Sequence, residues 1–561
     1  MNNMEEVTGI GIGISDFRNL RERKNYFIDK TMFIKDIIDD QSGVTLITRP
    51  RRFGKTLNMS MLRYYFDCTK KNTAELFEGL KIMQQEEKYT SKQGAYPCIY
   101  LTLKDVTDKS FSNMILDFKT AILEMYREHR YLLDSDKIYE DEKARIMDIL
   151  YTREDENVLK SSVRELSGYL YRHFEKPVII LIDEYDVPLQ SAYVQGYYDE
   201  AIEFLKNFYK LSFKDNPYME KTVLTGVSRV AKESIFSGAN NFKVFTILNN
   251  EFADDFGITS DEIDEVLKDF KVQEEKEEIK KWYDGYRIGN VEGIYNPWSI
   301  LNFLTDGVLQ PYWVNTSSND LIKLIVKKSV GIKEKIYELI EGKAIEVPIN
   351  LETIIVGIED RTDNIWGLML GTGYLKIVET VNAIDGIYKV ALPNYEIKTL
   401  FQGIVRDWFS NKVSGEDLRS ILNDLVNLRI PDFQKKFRRL VEEMFSYMDV
   451  GRDTAENFYH AFVLGLLVGL KDTYYIKSNR ESGLGRYDIM LEPKDKKGNG
   501  FIIEFKIAED MEEDSLEELL EKAKEQIEVK KYDVELRERG IESITKMVMA
   551  CKGKQFKMEI L

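Results

Sequence analysis

Two stretches of this sequence combine residue types and spacings suited to chemistry on phosphates and on metal-bound water. The first is Thr48-Arg49-Pro50-Arg51-Arg52-Phe53-Gly54-Lys55-Thr56, which follows the β-branched run Val44-Thr45-Leu46-Ile47-Thr48 and precedes an amphipathic stretch at 57–66. A loop between a strand and a helix presents backbone N–H groups to phosphate, its lysine reaches the β and γ oxygens, and its hydroxyl holds magnesium. Arg52, Phe53, Gly54, Lys55 and Thr56 are therefore expected to bind ATP, although Arg49 stands where the generic pattern has its first glycine. A second segment, Val178-Ile179-Ile180-Leu181-Ile182-Asp183-Glu184, is an apolar strand ending in two carboxylates. Acids directly beside a core are costly unless something compensates them, and a bound cation would. Asp183 is expected to hold Mg²⁺ together with Thr56, and Glu184 to polarise the attacking water. Leu224-Thr225-Gly226-Val227-Ser228-Arg229 places Ser228 and Arg229 where contacts to the γ-phosphate are expected.

The other chemical stretch is Phe501-Ile502-Ile503-Glu504-Phe505-Lys506-Ile507. Side chains alternate across a strand, so Ile502, Glu504 and Lys506 share one face. The preceding strand candidate, Tyr487-Asp488-Ile489-Met490-Leu491, is joined to it by a Lys/Gly-rich turn, and antiparallel pairing would bring Asp488 beside Glu504. Converging carboxylates bind Mg²⁺ or Mn²⁺, and an adjacent lysine positions or helps deprotonate water. Asp488 and Glu504 are the expected metal ligands, and Asp488, Glu504 and Lys506 the expected catalytic set. Glu-x-Lys by itself is uninformative, since Glu396-Ile397-Lys398 fits it too. The competing explanation is a strand-borne Glu–Lys pair with a purely structural role.

These residues need elements to hold them. Apolar strand-like runs at 44–48, 98–103, 178–182 and 222–226 alternate with helical stretches such as 110–129, the pattern of an α/β domain built on a doubly wound parallel sheet. Residues 296–305, 318–341 and 398–445 read as mainly helical, with strand-like pieces at 374–381 and 388–392. Beyond 450 come a helix at 454–470, strands at 473–477, 487–491 and 501–507, an acidic helix at 515–531 and a strand at 546–550. The expected organisation is thus a P-loop domain over 1–290, a mostly helical connecting domain over 291–450, and a compact α/β domain over 451–561.

Composition narrows the function classes. The 561 residues carry 79 basic and 96 acidic side chains, net −17, so bulk charge does not advertise a nucleic-acid binder and any such contact must be local. Three scattered cysteines exclude a disulfide framework and indicate a reducing, cytoplasmic compartment, while three distant histidines argue against a Cys/His zinc site. The longest apolar run, 461–470, is about half of what a bilayer-spanning helix needs. No Gly-x-Ser-x-Gly elbow supports serine hydrolase chemistry.

Tyr26-Phe27-Ile28-Asp29-Lys30-Thr31, the loop from Arg49 to Thr56, Ile182-Asp183-Glu184-Tyr185-Asp186 and Tyr295-Asn296-Pro297-Trp298-Ser299 together resemble the bacterial AAA-ATPase-like family. Its Arg-Pro-Arg-Arg-Phe-Gly-Lys loop is the most distinctive mark, and the family shares the missing glycine. Gly485-Arg486-Tyr487-Asp488 with Glu504 and Lys506 resembles the PD-(D/E)XK nuclease superfamily, in whose pattern Glu456 and Gln526 match accessory positions. The resemblance implies a restriction-endonuclease-like C-terminal α/β domain, and a protein that binds and hydrolyses ATP and uses the ATPase to gate metal-dependent cleavage of DNA, or alternatively RNA. The other function class is an ATP-driven switch or scaffold whose nuclease-like domain only binds nucleic acid or a protein. Expected partners are ATP and DNA, with no membrane; a homo-oligomer is an open alternative.

Overall fold

The computed structural model describes residues 9–151, 156–229, 242–316, 332–351, 362–410, 415–445, 473–482, 485–508, 515–530, 532–552 and 555–561, with isolated positions at 322–325 and 463–470. Glu456, His460 and most of the helix expected at 454–470 lie outside the described residues, as does much of 318–331. The chain divides into two compact units, one of residues 1–329 and 346–397, the other of residues 330–345 and 398–561.

The first unit is built on a five-stranded sheet of β1 (Val44–Thr48), β2 (Cys98–Thr102), β3 (Val178–Asp183), β4 (Met219–Gly226) and β5 (Phe242–Phe245). Their order is β2-β3-β4-β1-β5, and every pairing is parallel. Strands buried on both faces read as unbroken apolar runs, which is why β1 and β3 were visible in the sequence. Sheet residues Leu46, Ile180, Ile182 and Leu224 share one core with helices α2 (Phe111–Glu128), α3 (Glu156–Phe174) and α4 (Tyr198–Phe213). Helix α1 (Lys55–Phe66) packs on β3 and β4 outside that cluster. Ser110 caps α2 by accepting from the Asn113 N–H, the start signal expected of a serine at that place. β5 is a strand that sequence patterning did not mark, being four residues long and mixed in character.

The two units are interleaved along the chain. Helix α5 (Pro297–Asp306) and Trp313, assigned from sequence to a connecting domain, are part of the first unit and pack on its phosphate loop. Residues expected as strands at 374–381 and 388–392 form an antiparallel pair, Lys376–Asn382 with Ile387–Ala391, in a three-stranded sheet. The helical stretch from 398 belongs to the second unit, where Phe437 packs against Phe556 with ring centres 4.9 Å apart.

The second unit holds β6 (Tyr474–Ser482), β7 (Gly485–Pro493), β8 (Gly500–Ile507), β9 (Ile544–Lys552) and β10 (Gln555–Ile560), side by side in chain order. β7 and β8 pair antiparallel, Ile489 opposite Ile503, whereas β8 and β9 run parallel. Helix α6 (Leu516–Lys530) covers this sheet through Leu519, Leu520, Ala523 and Ile527 against Met490, Ile502 and Val548.

Candidate functional site

β1 ends at Thr48 and the chain turns back on itself before α1. Gly54 lies at φ +86°, and a Cβ there would meet open space, so its glycine is required by backbone conformation and not by crowding. Arg52 also lies in the left-handed region, at φ +67°. Successive N–H groups in such a turn form an anion-binding concavity. Lys55, almost fully buried, donates to the carbonyls of Arg49 (3.3 Å) and Pro50 (3.1 Å), and its Nζ lies 3.8 Å from Oε1 of Glu184. The loop lysine, the strand-end glutamate and the helix start are thus brought together.

Asp183, at the end of β3, is completely buried. One carboxylate oxygen accepts from the Thr225 hydroxyl at 2.5 Å, and the other, Oδ2, has no hydrogen-bond partner. Burial raises its proton affinity, while Thr225, Thr56 and Lys55 favour the charged form. An orphaned acidic oxygen facing a hydroxyl and an ammonium suits a divalent cation, so the residues present fit Mg²⁺. Glu184 sits at φ +56°, a strained conformation for a side chain of this kind. Burial raises its carboxyl as well, and Lys55 partly offsets that.

Asp186 accepts from the backbone N–H groups of Val227 and Ser228, the Ser228 hydroxyl (2.6 Å) and Gln190 (2.6 Å). The Ser228 hydroxyl is therefore committed within the protein, and Ser228 and Arg229 line a small cavity of about 10 Å³ with Thr48 and Thr246. Gly226 is needed here because a Cβ would lie 2.5 Å from Asp186 Oδ1 and 2.6 Å from the Tyr185 ring. Arg52 lies over the Trp298 ring at 4.1 Å, and Phe53 packs edge-on against Tyr286 at 5.0 Å.

Two contributors escaped sequence reasoning. Arg49 is fully buried and donates to the carbonyls of Thr48 (2.9 Å), Phe245 (3.3 Å), Glu251 (3.4 Å) and Phe252 (2.8 Å). Burial lowers its pKa to about 10, so it remains a cation at neutral pH. The residue in the glycine's place is thus a clamp between the phosphate loop and segment 245–252; its departure from the generic pattern was the only signal. The other is Glu396, buried at the start of the helix Tyr395–Ser410, where desolvation pushes its carboxyl up to about 7.

In the second unit, Asp488 and Glu504 are neighbours across the β7–β8 pair. Asp488 Oδ2 accepts from the Phe505 N–H at 2.7 Å, and Lys506 Nζ donates to Glu504 Oε1 at 3.4 Å. Glu504 is completely buried and its Oε2 has no hydrogen-bond partner. Burial, reinforced by the Asp488 charge and opposed by Lys506, pushes its carboxyl up to about 8. Two converging acids, one with an unpartnered oxygen, fit a divalent cation here too. Gln526 reaches this neighbourhood indirectly, donating to the Tyr532 hydroxyl at 3.0 Å, which in turn feels both carboxylates. Among the described residues no cluster of three or more His, Cys, Asp or Glu side chains stands ready to hold a metal ion by itself.

Residues 11–236 match the family of predicted AAA-ATPases, and residues 454–559 match the PD-(D/E)XK nuclease superfamily. The chain carries both domains. An uncharacterized protein in the vnfD 5′ region of Azotobacter chroococcum mcd 1 is 25% identical over 396 residues, covering 69% of this chain and 68% of its own length. Among solved structures, a Walker-type ATPase of Pyrococcus abyssi aligns over 68% of this chain and 97% of its own, with 14% identity and a TM-score of 0.37. Both domain types generally use divalent metals, and the first uses ATP. Among the described residues no helix is long and apolar enough to cross a membrane.

Proposed function

We propose that the AAA-ATPase-like unit binds and hydrolyses ATP, and that its nucleotide state controls metal-dependent cleavage of DNA by the nuclease-like unit. The observation carrying this reading is shared by both sites: a fully buried strand carboxylate, Asp183 at the end of β3 or Glu504 within β8, keeps one oxygen without a partner and feels the charge of a nearby lysine. Leaving such an oxygen bare is costly, and a cation would offset that cost. In the first unit Arg52, Phe53, Gly54, Lys55 and Thr56 would cradle the phosphates, Thr56 and Asp183 would hold Mg²⁺, and Glu184 would orient the attacking water. Ser228 and Arg229 would act at the edge of this site, Ser228 through Asp186. In the second unit Asp488 and Glu504 would hold Mg²⁺ or Mn²⁺, and Lys506 would position the water that attacks the phosphodiester. A divalent ion, when bound, supplies Lewis acidity at each site.

Control of one unit by the other is supported by connectivity. The chain passes between the units three times, at 329/330, 345/346 and 397/398, so a rearrangement in one is not isolated from the other by a single linker. Three scattered cysteines, two of them buried, fit a reducing compartment such as the cytoplasm. The deciding experiment is cleavage of DNA and RNA by the full chain with Mg²⁺ or Mn²⁺, in ATP and in ADP, beside Lys55→Ala and Glu504→Ala. Cleavage that needs Glu504 and differs between nucleotides supports the proposal. A rate indifferent to nucleotide and to Lys55→Ala would leave the units merely tethered, and absence of cleavage would favour a switch or scaffold.

A further inference from the structure

The phosphate loop is braced from residues remote in sequence. The Trp313 indole N–H donates to the Arg51 carbonyl at 3.1 Å across a separation of 262 residues. Trp313 is itself held at its backbone: its N–H donates to Glu396 Oε1 at 2.6 Å, and the Val314 N–H donates to the same oxygen at 3.4 Å. The second Glu396 oxygen accepts from the Ser299 hydroxyl at 2.8 Å. One fully buried carboxyl thus ties together the start of α5, the Tyr312–Thr316 turn of helix and the loop beyond β1.

The Arg51 carbonyl matters because a trans peptide is planar, with its C=O and N–H pointing in opposite directions. Fixing the Arg51 oxygen on Trp313 fixes the Arg52 N–H on the other side of the same peptide, away from Trp313. That N–H belongs to the residue at φ +67°, the conformation that turns consecutive N–H groups toward a common anion. Without an external hold, a non-glycine residue would relax from that conformation.

We propose that Glu396 is a positioning residue for the phosphate loop, acting through Trp313 on the Arg51–Arg52 peptide. The proposal rests on the reading that this loop binds ATP. Glu396 makes no contact with nucleotide in this scheme. It needs only an acceptor oxygen toward Trp313, which glutamine also offers, while the glutamine amide can donate to Ser299 Oγ.

The test is titration of the full chain with Mg-ATP by calorimetry, with far-UV circular dichroism confirming that each variant is folded. Lys55→Ala serves as the control for the nucleotide site. Trp313→Phe removes one hydrogen bond and should weaken binding about fivefold. Glu396→Ala should weaken it at least as much, and Glu396→Gln should restore it to within about twofold of wild type. The double variant Glu396→Ala/Trp313→Phe should bind no more weakly than Glu396→Ala, because both changes break one chain of contacts. Should Glu396→Ala not fold, Trp313→Phe and Glu396→Gln still decide the matter. Binding that Lys55→Ala abolishes but Trp313→Phe leaves unchanged would overturn the positioning role alone, as would additive losses or a folded Glu396→Gln that fails to rescue. Folded wild-type protein that binds no Mg-ATP would overturn the nucleotide reading and the proposal with it.

Discussion

Replacing Arg49 by glycine would make the loop conform to the generic phosphate-binding pattern, yet the structure predicts a less stable protein. The guanidinium donates to four carbonyls, three of them in segment 245–252. A buried carbonyl stripped of its donor costs about 1–3 kcal/mol, so losing three or four contacts costs on the order of 6 kcal/mol. Against this stands the desolvation of the cation itself. Its pKa falls from 12.5 to about 10 through burial, which corresponds to about 3 kcal/mol regained on deletion. The net loss is about 3 kcal/mol, to which the added chain entropy of glycine contributes roughly another 0.5–1 kcal/mol. In a unit of this size that lowers the thermal midpoint by roughly 5 °C. Thermal unfolding followed by near-UV circular dichroism, with and without Mg-ATP, measures it. Arg49→Lys should fall between, because an ammonium keeps the charge but cannot span the same carbonyls as a fork. An Arg49→Gly protein as stable as wild type, or one binding ATP more tightly, would refute the clamp.

Lys55→Ala should abolish ATP binding, whereas Glu184→Gln should leave binding intact and slow hydrolysis about 100-fold, measured by phosphate release; equal hydrolysis rates would remove Glu184 from the mechanism. Asp488→Ala and Glu504→Ala should each lower Mn²⁺ affinity and DNA cleavage together, while Lys506→Ala should keep or tighten Mn²⁺ binding in calorimetry and lose cleavage. Wild-type protein that binds no cation at this site would end the nuclease assignment. Glu396 yields a pH prediction: its carboxyl is raised from 4.5 to about 7 in the folded chain. The folded state therefore binds the proton more tightly than the unfolded state, and this contribution to stability is complete below pH 4.5 and lost as pH rises through 7. Glu396→Gln should match wild type at pH 4.5 and exceed it by on the order of 3 kcal/mol at pH 8 in urea unfolding; a constant difference across that range would contradict the assignment.

The strands that carry the chemistry were legible because their burial leaves a mark on composition. β3 reads as five apolar residues before two acids, and β8 alternates around Glu504. The antiparallel pairing of β7 with β8 was suggested by the Lys/Gly-rich turn between them. Local pattern also located the phosphate loop, since Gly54 and Lys55 are defined by the strand before them and the helix after. What local pattern could not supply was anything depending on residues far apart in the chain. Arg49 reads as one more basic loop residue until Phe245, Glu251 and Phe252 surround it. Glu396 reads as an incidental Glu-x-Lys until Ser299 and Trp313 converge on it. Nothing in the sequence marks the hydrogen bond that the Ser228 hydroxyl donates to Asp186. Helical periodicity likewise says which face of 297–306 is buried but not what buries it. Hydrophobic period and turn chemistry are properties of neighbouring residues and are written in the sequence; the partner of a buried polar group is chosen by chain reversal, and only the tertiary structure decides it.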